Sequence, residues 1–132
     1  AREGKSPSTQ AGEFVREEIH HVREGKHGVR STQQAIAIGL SKARRAGVKL
    51  APPKGLASVR QKATQDIAAE KSPLHKTSAK RSRAVSRALR DESRGGTSHE
   101  ALSRQARKSA AKRGKQGRRQ ASLKAARTRK GK

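Results

Sequence analysis

The apolar residues in the first part of the chain recur at helix spacing. After the Ser-Pro-Ser sequence at residues 6–8, Val15, Ile19 and Val22 stand at i, i+4 and i+7, which is the spacing of one helix face. Gly25 follows as a natural C-terminal stop. The pattern predicts a first helix that ends near Gly25.

A second segment carries helix signals of its own. Ser31 is followed three residues later by Gln34, and this spacing is typical of a capping box at a helix N-terminus. Ile36, Leu40 and Ala43 then form one face. The pattern predicts a second helix that starts at Ser31 and buries this face.

The end of the second helix and the connection between the two helices are also marked. Gly47 with Val48 behind it favours a Schellman-type C-terminus, and Pro52-Pro53 prevents the helix from continuing. The glycine-containing connection at residues 25–28 is short enough to turn the helices against each other. We therefore expect a helical hairpin over residues 9–50.

Helical signals weaken beyond the two prolines. Leu56, Val59, Ala63 and Ile67 are helix-spaced, and this segment ends at Lys71-Ser72-Pro73. We expect a third helix here, with little to pack against.

If residues 78–94 form a helix, its basic and apolar residues lie on different faces. Val85 and Leu89 lie about 160° around a helix from a basic row. The row consists of Lys80, Arg83, Arg87, Arg90 and Arg94. After Gly95-Gly96, Thr97 and Glu100 resemble another capping box, placed before Leu102, Ala106 and Ala110.

The last 20 residues show no periodicity, and we expect a disordered basic tail. The predicted fold class is mostly α: an N-terminal helical hairpin, then Ala/Lys/Arg-rich helices and this tail. The predicted division is residues 1–50 as the hairpin and residues 51–132 as a basic nucleic-acid-binding region, partly helical or disordered.

Charge points to the class of partner. The chain has 34 Lys and Arg against 10 Asp and Glu, so its charge cannot be balanced internally and a polyanion is the expected partner. Residues 1–50 have a net charge of +5 and residues 51–132 of +19. Membrane-surface helices carry Trp, Phe or Leu on an apolar face, whereas this chain has one Phe and no Trp. We therefore expect nucleic acid rather than a membrane, and a location in the cytoplasm or nucleoid.

Composition also excludes several kinds of chemistry. The absence of Cys removes disulfides, zinc fingers and thiol nucleophiles. The adjacent His20 and His21 do not have the i, i+4 spacing of a zinc-binding helix. No phosphate-cradling loop or nucleophile elbow occurs. We expect no enzyme activity, no metal and no cofactor.

Basic residues at helix spacing are what phosphate binding needs, because each neutralised phosphate releases condensed counterions. The expected DNA-binding residues are Lys42, Arg44, Arg45, Lys49, Lys80, Arg83, Arg87, Arg90, Arg104, Arg107, Lys108, Lys112, Arg113, Lys115, Arg118 and Arg119. An alternative interpretation is a helix-turn-helix in which Thr32, Gln33 and Gln34 meet bases. The acidic patch of Glu13, Glu17, Glu18 and Glu24 is expected to pair with Arg16 and Arg23 on the helix surface, or to dock the chain's own basic tail or a basic partner protein.

The segment from Glu13 to Gly28, and above all the run from Gln34 to Gly47, resembles a family of small basic bacterial proteins. The resemblance covers about residues 13–50. That family is functionally uncharacterised, and its members are sometimes labelled DNA-binding or plasmid-stabilisation proteins. The resemblance implies kinship and brings no catalytic residues.

The leading hypothesis is duplex DNA binding through phosphates with little base specificity, in a nucleoid-associated or DNA-compacting role. A ribosome-associated or RNA-chaperone role is the first alternative. The second is an adaptor in which the 13–50 hairpin binds a protein while the tail holds nucleic acid. A protein partner or self-association through residues 9–50 is a further expectation.

Overall fold

The structure is a computed structural model that describes residues 4–71 and 78–130. Its α-helices run over Pro7–Arg23 (α1), Thr32–Arg45 (α2), Ala57–Glu70 (α3), Ala79–Asp91 (α4), His99–Lys112 (α5) and Gly114–Lys130 (α6), with a 3-10 turn at Gly95–Thr97. No strand occurs in these ranges, so the predicted mostly α fold is confirmed. The chain forms two compact units, residues 1–97 and residues 98–132. The expected division at residue 50 stays a prediction.

Local signals define both ends of α1. The Ser6 side chain accepts a hydrogen bond from the Thr9 amide, and Pro7 stands at the first helical position, where its missing N–H is not needed. At the other end Gly25 has φ +80°, and the amides of Gly25 and Lys26 donate to carbonyls of the last turn. These two bonds form a Schellman motif, which confirms the predicted stop.

The ends of α2 follow the prediction with one difference. The Gln34 amide donates to the Ser31 hydroxyl at 3.2 Å, but the Gln34 side chain accepts from the amide of Arg30 rather than that of Ser31, at 2.6 Å. The Gln34 side chain thus satisfies the backbone amide of the residue before the N-cap instead of the N-cap amide itself. Gly47 has φ +87°, and the Val48 amide closes the Schellman bond at 3.0 Å.

A row of small residues brings α1 and α2 together. Ala35, Gly39 and Ala43 are buried at i, i+4 and i+8. A Cβ placed on Gly39 would lie 2.6 Å from the Cα of Val15. The two backbones therefore approach more closely here than a side chain would permit.

The predicted contact face of α2 is therefore only partly correct. Ala43 is buried, but Ile36 and Leu40 are half-buried, because the small residues occupy the line of closest approach. The larger apolar side chains pack on two small clusters. One contains Ala11, Ala43 and Val48 with Phe14, Leu40 and Leu50 around them, and the other contains Val22, Val29 and Ala35 with Ile19 and Ile38.

Helix α3 forms where it was predicted, but only the later part of its predicted apolar row is buried or half-buried. Leu56 and Val59 are 74% and 50% exposed, whereas Ala63 and Asp66 are buried. Spacing alone could not show this, because the buried position is a carboxylate that α2 holds by hydrogen bonds. The predicted end at Lys71-Ser72-Pro73 lies partly outside the described residues.

Helix α4 is confirmed, and the segment after it crosses the hairpin. Residues 92–97 make the following bonds to the hairpin: Val29 N to Ser93 O at 2.8 Å, Thr32 Oγ1 to Gly96 O at 2.6 Å, and Arg23 Nε to Thr97 O at 3.1 Å. We call residues 92–97 the strap. It anchors the C-terminal end of α4 to the hairpin.

The second unit consists of α5 and α6. Ser98 caps α5 by accepting from the Ala101 amide at 3.2 Å, so the predicted Thr97–Glu100 box is displaced by one residue. Thr97 is buried, and its hydroxyl donates to the Arg94 carbonyl.

The segment expected to be a disordered tail is helical over most of its length, because Gly114–Lys130 forms the helix α6. Its Arg, Lys, Gln and Ala residues have high helix propensity although no apolar periodicity is present. Residues 131–132 lie outside the described residues. No helix in the described ranges is long and apolar enough to span a membrane.

Candidate nucleic-acid interface

Two basic residues of α2 make ion pairs that join this helix to its neighbours. Lys42 Nζ donates to Glu18 Oε2 at 2.5 Å, and Arg45 Nε donates to Asp66 Oδ1 at 3.0 Å. Arg44 is buried, and its Nε has no hydrogen-bond partner among the described residues. Of the four cations expected here as DNA contacts, Lys42, Arg45 and Lys49 are exposed, but Lys42 and Arg45 are held in ion pairs with buried carboxylates.

Glu18 is a buried carboxylate in the middle of α1, and its side chain has no exposed surface. Besides Lys42 it faces His27, whose Nε2 lies 3.0 Å from Glu18 Oε1. The Nδ1 of the same ring lies 3.0 Å from the Gly28 carbonyl. A buried charge requires partners; Oε2 accepts a hydrogen bond from Lys42, whereas Oε1 has the His27 ring nearby but no hydrogen bond among the described residues. Glu18 thus ties α1 to α2.

Asp66 plays the corresponding part between α2 and α3. It accepts from Lys62 Nζ at 2.6 Å, from Ser41 Oγ at 2.7 Å and from Arg45. Burial raises the pKa of Asp66, but the hydrogen bonds from Lys62, Ser41 and Arg45 outweigh it, so the pKa lies below its ordinary value. Asp66 is therefore a charged anchor for α3.

The acidic patch of α1 does not pair as predicted in the described part of the chain. The observed pairs join Glu13 to Lys5, Glu17 to His21, Glu18 to Lys42 and His27, and Glu24 to His20 and Lys26. The hydrogen bond from Lys26 lowers the pKa of Glu24. Arg23 instead holds the strap. In these pairs the acids have Lys or His partners rather than Arg16 or Arg23, and Glu17 and Glu24 each pair with a His one turn away.

One of the three residues expected to contact bases in the helix-turn-helix alternative is buried in the structure. Thr32 is buried and donates its hydroxyl to Gly96 in the strap. It therefore faces the interior of the first unit and cannot reach a groove.

Helix α4 presents its basic row to solvent. Lys80, Arg83, Arg87 and Arg90 are exposed and fall within about 80° of the helix circumference. Arg94 does not continue the row as predicted. The helix ends at Asp91, Glu92 is extended, and the Arg94 guanidinium lies beside Gly25.

Helices α5 and α6 carry the remaining expected contacts, and all of these residues are exposed: Arg104, Arg107, Lys108, Lys112, Arg113, Lys115, Arg118 and Arg119. Sequence periodicity missed four further exposed cations because this part was expected to be a tail. They are Lys124, Arg127, Arg129 and Lys130 on α6.

The charge on α6 is dense and one-sided. Seven Lys and Arg and no acid occur in 17 residues, which is about one positive charge per 3.6 Å at a rise of about 1.5 Å per residue. Five of them, Lys115, Arg118, Arg119, Arg129 and Lys130, fall within about a third of the circumference. The basic residues of α4, α5 and α6 take no part in the ion pairs seen among the described residues. Their charges are thus available to an external anion.

The described residues also include no group of three or more His, Asp or Glu that could hold a metal ion.

Comparison with known proteins gives one similarity. Residues 7–55 match DUF6496, a family of unknown function. The match spans α1, α2 and the segment up to Gly55, and α3 to α6 lie outside it. The expected resemblance to an uncharacterised family is confirmed, while the DNA-binding and plasmid-stabilisation labels stay predictions. No curated protein and no solved structure matches the chain.

Proposed function

We propose that the protein binds duplex DNA through its phosphates, with little base specificity, in a nucleoid-associated or DNA-compacting role. The observation that carries the proposal is the set of exposed basic rows on α4, α5 and α6, which have no ion-pair partners among the described residues.

The spacing of charge on α6 supports this assignment. One strand of duplex DNA carries a phosphate about every 3.4 Å of helix axis, which is close to the spacing of positive charge along α6. Each phosphate that the protein neutralises releases condensed counterions. Affinity follows from this release without any reading of bases.

The lack of aromatic side chains argues against binding of single strands. Proteins that hold single-stranded nucleic acid stack bases on aromatic rings. Phe14 is the only Phe, Tyr or Trp of the chain, and it is half-buried against the Ala11, Ala43 and Val48 cluster. No exposed Phe, Tyr or Trp is therefore available to stack on a base.

Helix dimensions favour DNA over duplex RNA. The major groove of B-DNA, about 12 Å wide, admits an α-helix, whereas the major groove of A-form RNA is deep and narrow. The exposed helices α5 and α6 lie in a different compact unit from α4. A chain with basic helices in both units can contact more than one segment of duplex, as compaction requires.

The test is neutralisation of three cations on α6, Lys115→Gln, Arg118→Gln and Arg119→Gln together. Gln preserves helix propensity. Each lost phosphate contact lowers the slope of log K against log salt concentration by about 0.9, so we expect a total reduction of about 2.7 in fluorescence anisotropy titrations with a labelled duplex.

The matched control is Arg16→Gln, Lys54→Gln and Arg60→Gln, which changes net charge equally at positions of the first unit that lie outside the basic rows. We expect it to leave the slope nearly unchanged. Equal slopes for the two triple variants would show that net charge alone, rather than α6, governs binding.

A further inference from the structure

A small cleft lies where the connection between α1 and α2 meets α4. Its volume is about 440 Å³, and it is lined by Lys26, His27, Ser86, Leu89 and Arg90. We call it the phosphate cleft. Its walls come from two segments about 60 residues apart in the sequence, and Lys26 and Ser86 belong to none of the basic rows described above.

Backbone contacts hold the two walls in place. The Gly28 amide donates to the Leu89 carbonyl at 2.6 Å. A Cβ on Gly28 would overlap the Glu92 carbonyl, so the connection and the end of α4 pack without a side chain between them. Arg30 adds an ion pair to Glu92 at 3.1 Å. The cleft is thus a built feature of the first unit.

The lining suits an oxyanion. Lys26 and Arg90 supply positive charge and N–H donors, Ser86 supplies a hydroxyl donor, and Leu89 forms an apolar wall. His27 is part of the wall, because one ring nitrogen faces Glu18 and the other faces the Gly28 carbonyl.

Lys26 already has a carboxylate partner in Glu24, whose Oε2 lies 3.0 Å from Lys26 Nζ. Both side chains of this pair are well exposed, at 58% for Lys26 and 42% for Glu24. Exposed ion pairs contribute little stability because solvent and salt screen them. A phosphate can therefore replace the Glu24 carboxylate as the partner of Lys26.

We propose that the phosphate cleft binds a backbone phosphate of the duplex that α4 holds. Arg83, Arg87 and Arg90 follow one line on α4 that rises about 10 Å along its axis, and Arg90 is shared with the cleft. A strand that runs along this row enters the cleft at Arg90 and meets Lys26. This inference rests on the proposed function and extends the interface to the hairpin.

The experiment compares Lys26→Gln with Lys54→Gln in the full chain. Both remove one exposed lysine charge, and only Lys26 lines the cleft. We expect Lys26→Gln to lower the salt slope by about 0.9 and to weaken duplex DNA binding about eightfold at about 0.1 M salt. We expect Lys54→Gln to leave the slope unchanged. Ser86→Ala removes an uncharged donor, so it should weaken binding a few-fold with no change in slope.

A second arm distinguishes a backbone phosphate from free phosphate. Inorganic phosphate is titrated into the unaltered chain while the amide signals of Lys26, Gly28 and Ser86 are followed by NMR. Weak, unsaturated shifts together with the reduced DNA slope of Lys26→Gln support the proposal. Saturation by inorganic phosphate with an unchanged DNA slope overturns it. If the unaltered chain binds duplex DNA with a steep salt slope and Lys26→Gln has the same slope, this inference alone is overturned. If the unaltered chain does not bind duplex DNA, the proposed function is overturned and this inference with it.

Discussion

Replacement of Gly39 by Ala tests the close approach of α1 and α2. A Cβ at this position would lie 2.6 Å from the Val15 Cα and 2.9 Å from the Val15 backbone nitrogen. These are backbone atoms, so no change of rotamer relieves the overlap and the helices must move apart. Overpacking of this kind costs about 1–3 kcal/mol. The gain in helix propensity from Gly to Ala, about 1 kcal/mol, acts in the opposite direction.

Gly12→Ala is the matched control. Gly12 lies within α1, and a Cβ there meets nothing within 4 Å. Both variants gain the same propensity term, so the difference between them isolates the packing term of about 1–3 kcal/mol. Hydrogen exchange of α1 and α2 amides measures this difference as a change of about 5- to 150-fold in the opening equilibrium. Equal protection in Gly39→Ala and Gly12→Ala would refute the packing argument.

Three further changes test other contacts of the first unit. The pKa of Asp66 is lowered in the folded state, so the stabilisation from its charge is present above about pH 3.9 and is lost as the pH falls through the folded pKa. Thermal unfolding followed by circular dichroism should show this loss in the unaltered chain. In Asp66→Asn the unfolding temperature should depend less on pH. Ser31→Ala should cost about 1 kcal/mol in α2 protection, whereas Ser78→Ala should cost little because Ser78 makes no side-chain capping bond; similar losses for both would contradict this. Gly28→Ala should detach the strap, since a Cβ overlaps the Glu92 carbonyl, and retained exchange protection of the amides at the junction would count against that contact.

Helix ends were predictable because their signals are local. Ser6, Ser31, Gly25 and Gly47 act through hydrogen bonds and φ angles within a few residues. The tail was not predicted as a helix, because propensity without apolar periodicity gives no pattern to detect.

Packing was not predictable in the same way. The predicted faces assumed that large apolar residues are buried, whereas α2 buries Gly39 with small neighbours and α3 buries Asp66. Carboxylates inside a chain so rich in Lys and Arg find cations from other helices, and the sequence does not show which ones. Lys42 and Arg45 are exposed like the basic residues of α4 to α6, but they differ from them because each is paired with a buried carboxylate.

The exposed rows were more accessible to sequence reasoning. Lys80, Arg83, Arg87 and Arg90 follow helix spacing, and the structure leaves them exposed. The phosphate cleft was hidden because Lys26 and Ser86 meet only through the fold.

The central claim is tested most directly by binding of the full chain to labelled duplex DNA, a scrambled duplex, single-stranded DNA and duplex RNA of equal length at several salt concentrations. With about 6–10 phosphate contacts, affinity for duplex DNA should fall about 10³- to 10⁵-fold between about 50 and 200 mM salt. We expect duplex DNA to bind most tightly, with little change when its sequence is scrambled. Clearly tighter binding to RNA, or a strong dependence on DNA sequence, would contradict the account.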